Sequence, residues 1–145
     1  MRSILNIIIL IAFIMCSGFN EPTGVLRVQV KKLRNTNGHV LISLFRNGEG
    51  YPDEPEKAFK KGKVNIVNGN AVLIFTNLPP GDYEVAVLHD ENDDQKMNKS
   101  WLGLPSEGYG FSNNVMGMFG PPDVSKASFS IAAGTQKIIE INTRY

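Results

Sequence analysis

Val25-Leu26-Arg27-Val28-Gln29-Val30-Lys31 sets Leu26, Val28 and Val30 on one face and Arg27, Gln29 and Lys31 on the other. That period of two is the mark of a half-buried β-strand. Working outward, Asn35-Thr36-Asn37-Gly38 carries turn chemistry. His39-Val40-Leu41-Ile42-Ser43-Leu44-Phe45 follows, apolar on both faces, and reads as a central strand. Val64-Asn65-Ile66-Val67 and Ala71-Val72-Leu73-Ile74-Phe75 flank Asn68-Gly69. Asn-Gly accepts positive φ at both central positions of a tight turn, so these two runs read as a hairpin. Leu78-Pro79-Pro80-Gly81-Asp82 is a rigid turn, and Tyr83-Glu84-Val85-Ala86-Val87-Leu88-His89 alternates after it. Residues 127–131 and 136–142 form the last two strands, around Ala133-Gly134.

About seven strands without a long amphipathic helix predict an all-β fold, an antiparallel β-sandwich of the immunoglobulin or prealbumin kind. Its expected core is Leu26, Val28, Val30, Val40, Ile42, Leu44, Ile74, Val85, Val87, Phe129, Ile139 and Ile141. Pro55 to Gly62 reads equally as a short helix, with proline in its first turn, or as a polar loop pinned by Phe59.

With 145 residues, 20% of them charged and 42% in the apolar set, the chain is a single ordinary globular domain. That composition excludes disorder and a polytopic membrane protein. A formal net charge of +1 argues against nucleic acid as a partner. The single cysteine makes no internal disulfide, and no Cys/His cluster suits zinc.

Arg2 is followed by an apolar run from Ile4 to Met15, and then by Cys16-Ser17-Gly18. The run is shorter than the roughly 20 residues a membrane span needs. It predicts a signal peptide over 1–18 and an exported domain over 19–145, periplasmic or extracellular. Lipid anchoring through Cys16 is the alternative, although Met15 stands where lipoprotein signals place a small residue.

Residues 90–125 show no strand or helix pattern. A loop that long in a compact domain is commonly functional. Asp90, Asn92 and Asp94 occupy positions one, three and five of a Ca²⁺-binding loop, with the Lys96 carbonyl at seven and Asn98 at nine. Gln95 stands where an EF-hand has glycine, and Trp101 where it has a bidentate glutamate; Glu107 could close the shell from further along. The competing reading is a solvated acidic turn held by Asx turns. His89, Trp101, Tyr109, Phe111, Asn113 and Asn114 are candidate contacts for a protein, peptide or glycan. The aromatics, Phe119 among them, serve equally as anchors of the loop on the sandwich.

Several runs carry a family likeness: Leu78-Pro79-Pro80-Gly81-Asp82-Tyr83, His89-Asp90-Glu91-Asn92, Leu102-Gly103-Leu104-Pro105 and Glu107 to Asn114. Gly120-Pro121-Pro122 and Ala127-Ser128-Phe129 extend it. The chain resembles the bacterial exported family catalogued as domain of unknown function 2141. The resemblance implies export and a prealbumin-like (transthyretin-like) sandwich, and it brings no substrate or reaction. Where that family follows His-Asp-Glu-Asn with a glycine-containing turn and an aspartate, this chain has Asp93-Asp94-Gln95 and Asn98.

Two functions compete. One is a non-enzymatic exported module, calcium-stabilised at its long loop, that binds an envelope or extracellular partner. The other is a small transthyretin-like hydrolase using His89 as a general base beside Asp90. The hydrolase lacks its family's histidine set and Tyr-Arg-Gly-Ser tail, since this chain has only His39 and His89 and reads Asn142-Thr143-Arg144-Tyr145.

Overall fold

A computed structural model describes residues 21–118 and 120–145. The expected signal peptide, its cleavage site, Cys16 and Phe119 lie outside them. Eight strands form two sheets. One sheet takes β1 (Gly24–Lys31), β4 (Ala71–Leu78) and β8 (Gln136–Asn142), in the order β4-β1-β8. The other takes β2 (His39–Arg46), β3 (Lys60–Val64), β5 (Gly81–Asp90), β6 (Gly108–Phe111) and β7 (Phe129–Ile131). Its order is β3-β2-β5, and β6 and β7 share the far edge of β5. All pairs are antiparallel except β1 with β8, which run parallel.

The core lies between the sheets and is built from alternate residues. Leu26, Val28 and Val30 face Val40, Ile42, Leu44, Tyr83, Val85 and Val87, and all are buried. Phe129, Ile131 and Ile141 extend the same cluster, with Ile139 partly buried against it. Ile74 departs from expectation. It is 48% exposed, and its neighbour Phe75 is buried instead. The run Ala71 to Phe75 is apolar throughout, so its composition leaves the phase open. The inward set Ala71, Phe75 and Leu78 is not spaced by two throughout, because a bulge lies between Phe75 and Leu78, with Asn77 at φ 55°.

Residues 55–62 are neither of the two expected forms. A 3-10 turn spans Pro55–Lys57, and the chain then enters β3, which pairs with β2. The Asn68-Gly69 turn forms, with φ of 51° and 70° and a Val67–Asn70 bridge across it, but the expected hairpin of 64–67 with 71–75 does not: β3 ends at Val64 and pairs with β2, while β4 pairs with β1 in the other sheet. The segment after Asp90 gains structure that its pattern did not reveal: β6, a 3-10 turn at Ser112–Asn114, and α1 (Val124–Ala127). The expected strand at 127–131 is correspondingly shorter, because Ala127 closes α1.

Candidate functional site

The acidic turn after β5 and Glu107 collect at one end of the sandwich, where β5 delivers His89 and Asp90, both fully buried. The Asp90 carboxylate turns back over the following residues. Its Oδ1 accepts the Asp94 amide at 3.1 Å and its Oδ2 the Gln95 amide at 2.9 Å. Asn92 Oδ1 also accepts from the Asp94 amide. Asp94 in turn accepts from the Lys96 amide at 2.9 Å and from the side-chain amides of Asn98 and Asn92 at 3.0 and 3.1 Å. These are Asx-type bonds, in which a carboxylate stands in for the backbone acceptor a strand would supply. They hold Asp93 and Gln95 at φ of 60° and 63°.

Glu107 performs the same task on a larger span. It is 5% exposed, and its two oxygens accept the amides of Glu91 at 2.9 Å and Asn98 at 3.0 Å. One carboxylate thus ties both ends of the acidic turn. Beyond it the chain rises as a narrow arm. Ser106 N–H donates to Asn98 C=O, Lys99 bridges Pro105, Ser100 N–H donates to Leu104 C=O, and Gly103 N–H closes the tip onto Ser100 C=O. Trp101 at the tip is 92% exposed, with Leu102 at 62% and Leu104 at 61%.

Charged neighbours brace the base. Asp93 Oδ1 meets Lys63 Nζ at 2.9 Å and His39 Nδ1 at 2.6 Å. The Lys63 hydrogen bond, then that of His39, holds the Asp93 carboxyl below its ordinary value. The Asn98 side chain, then the Lys96 amide, does the same for Asp94. Burial raises Glu91, but hydrogen bonds from Asn35 and Arg34, and the Arg34 charge, outweigh it and leave it lowered. Arg34 and Glu91 are 2.6 Å apart.

His89 belongs to this bracing. Its Nε2 lies 2.9 Å from the Asn37 carbonyl, which only accepts, so Nε2 carries the proton. Nδ1 then accepts from Tyr145 Oη at 2.7 Å, and Oη accepts the Arg34 amide. The Arg34 guanidinium lies over the Tyr145 ring, 4.4 Å from its centroid. Both ring nitrogens are engaged, and neither is open to a substrate in this arrangement.

The Gly108 to Asn114 run is a clamp. Gly108 and Gly110 leave room for the Tyr145 ring and for Ile141, which a Cβ at either position would meet. Tyr109 pairs through its backbone with Arg144, and its ring packs edge-on against Phe111, which meets Tyr51. Ser112 Oγ accepts the Val85 amide and donates to the Ala127 carbonyl. Asn113 donates to the carbonyls of Lys126 and Ser128. Asn114 donates to Glu140 C=O and accepts the Asn142 amide.

The family profile described as "Uncharacterized protein conserved in bacteria (DUF2141)" matches residues 28–139. The chain belongs to that family. No curated protein matches this DUF2141 chain. Among solved structures, a cysteine-to-alanine mutant of the pilus-presented adhesin Spy0125 (Cpa) is similar at 15% identity over 85% of this chain and 27% of that one, with a TM-score of 0.21. Another form of the adhesin gives 15% identity over 86% and 26%, with a TM-score of 0.23. The DUF2141 chain therefore spans about a quarter of the adhesin's length, and scores that low carry no argument about shared function.

The structure brings Asp90, Asn92, Asp94 and Asn98 together and ties Glu107 to them through the Asn98 amide. It places Trp101 on the arm, apart from the clamp that holds Phe111, Asn113 and Asn114. Among the described residues, no three His, Cys, Asp or Glu side chains are grouped so that they could hold a metal. Of Lys96, the bonded group is the amide rather than the carbonyl. The sequence reading missed Arg34, Asn35, Lys63 and Tyr145. Their partners lie 30 to 111 residues away along the chain, and no local spacing signals such contacts.

Proposed function

We propose that this DUF2141 chain is a non-enzymatic exported module that meets an envelope or extracellular partner through the arm tip, residues 101–104. One observation carries the reading: a 92% exposed tryptophan stands at the end of an arm whose base is fixed by two buried carboxylates. Folding normally hides so large an apolar side chain, and an exposed one flanked by two leucines marks a contact surface. Export is supported by the apolar run after Arg2 and the small residues behind it. Among the described residues, no helix is long and apolar enough to cross a membrane.

The test is a photo-crosslinking residue placed at Leu102 in the bacterium that makes the protein. The expected result is an adduct from position 102 that Trp101→Ser abolishes, and none from exposed Ile138 on the opposite sheet. Equal labelling from both positions, or none from 102, overturns the reading.

Calcium is a second reading, favoured by Gln95: this sixth residue of the turn adopts the left-handed φ that the EF-hand glycine provides. Asp90, Asn92, Asp94, Lys96, Asn98 and Glu107 would then supply oxygens, which requires the Asn98 side chain to turn its oxygen inward. A melting temperature that rises between chelator and millimolar Ca²⁺, and no longer does so in Asp94→Ala, supports it. An unmoved wild type refutes it.

A further inference from the structure

We infer that the partner of the arm tip is a lipid surface: Trp101, Leu102 and Leu104 enter the headgroup–acyl boundary of an anionic bilayer. The inference rests on the contact reading above and names its partner class. Shape favours a bilayer. Every residue from Lys99 to Leu104 is exposed, and a Cβ built on Gly103 would meet no atom within 4 Å. The tip is therefore convex and free on all sides. A rigid protein partner buries about 800 Å² per side in a stable complex, far more than four residues offer. A fluid bilayer closes around a projection from every direction and needs no matching groove.

Side-chain chemistry points the same way. Tryptophan has an apolar body and one N–H donor, the combination that settles at the headgroup level, and leucine prefers the acyl side. A glycan site would instead need polar groups beside the ring to meet hydroxyls, and residues 101–104 carry none in their side chains apart from the indole N–H.

Charge does so too. Lys99 lies on the arm and Lys96 in the acidic turn at its foot, and among the described residues neither is within salt-bridge distance of a carboxylate. The acidic groups lie below them at the base of the arm, where hydrogen bonds and ion pairs hold them away from the tip. Asp93 is held by Lys63 and His39, Glu91 by Arg34, Asp94 by three N–H groups and Glu107 by two backbone amides. Lys99 thus stands as a cation next to the apolar tip, with Lys96 below it, complementary to anionic headgroups.

Trp101 is the only tryptophan in the chain, so its emission reports on the tip alone. The full-length mature protein is titrated with vesicles of phosphatidylcholine containing phosphatidylglycerol, and with vesicles of phosphatidylcholine alone. The expected result is a blue shift on the anionic vesicles, with quenching by brominated acyl chains. Partitioning should weaken at least about tenfold in the Leu102→Ser/Leu104→Ser variant, which keeps the reporter. It should also weaken in Lys96→Gln/Lys99→Gln and at high salt. Emission unmoved by anionic vesicles overturns the lipid assignment, as does a shift that the leucine substitutions leave intact. A blue shift that grows with protein concentration without lipid identifies a second copy as the occupant and also overturns it. So does a shift produced only by cell-wall glycan fragments. Each of these leaves the contact reading standing if position 102 still crosslinks in cells, and absence of that adduct removes the contact reading itself.

Discussion

Ser112 Oγ fills a gap in the hydrogen-bond ladder along β5. β6 pairs with residues 86–89 and β7 with 81–83, so the edge strand is interrupted opposite Val85. The hydroxyl accepts the Val85 amide and donates its own O–H to Ala127 C=O, in a fully buried position. Ser112→Ala leaves both backbone groups unpaired, and we expect a loss of about 1–3 kcal/mol in denaturant unfolding. Asn113 and Asn114, both at positive φ, are amides used as portable peptide groups, one gripping the α1–β7 junction and the other the free edge of β8. The sequence marked this run as distinctive without revealing that its polar atoms face its own backbone. A serine and two asparagines look alike whether they bond a ligand or a strand edge, and only the register of distant strands decides between them.

The elements divide by how local their determinants are. Strands β1, β2, β5 and β8 were legible because their own side chains mark them, by alternation in β1, β5 and β8 and by an apolar run on both faces in β2. β3 was not, because Lys60-Lys61-Gly62-Lys63-Val64 has the charges of an edge strand and a glycine that lets Leu73 of β4 approach closely. The acidic turn was legible as an element with a purpose, but its tie to Glu107 depends on a return of the chain that no spacing announces. Asp93 and Asp94 have lowered carboxyl values in the folded protein, so their stabilisation is present above the unfolded value and is lost as pH falls through the folded one. We therefore expect the melting temperature to fall as pH drops below about 4, and to fall less steeply in Asp93→Asn, whose position no longer titrates. An identical pH profile for the two proteins would show that the Lys63–Asp93–His39 contact does not form in solution.

At the scale of the molecule, two sheets enclose one core and leave their loops at opposite ends. The acidic turn, the arm and the His89–Tyr145 pair occupy one end, with Asn37 beside them. The Ser112 clamp ties β7 to β5 towards the other. Leu26 lies at the centre of this core, paired with Phe75 on one side and Lys137 on the other. Leu26→Ala should cost roughly 2–5 kcal/mol, while Ile74→Ser on the outer face should stay within about 0.5 kcal/mol of wild type. Equal losses at the two positions would mean that β4 has the phase first read from its sequence.

Residue-resolved amide hydrogen exchange along 91–107 is the most direct test of the account, in which buried Asp90 and Glu107 fix the base of an arm whose tip faces solvent. The amides of Glu91, Asp94, Gln95 and Asn98 each donate to a carboxylate of the base rather than to solvent. The account predicts protection at these four amides comparable to that in β5, fast exchange at Trp101 and Leu102, and loss of protection at Glu91 and Asn98 in Glu107→Ala. Uniformly fast exchange from 91 to 107 in the wild type would contradict it, since the carboxylates would then be free and the arm would have no fixed base.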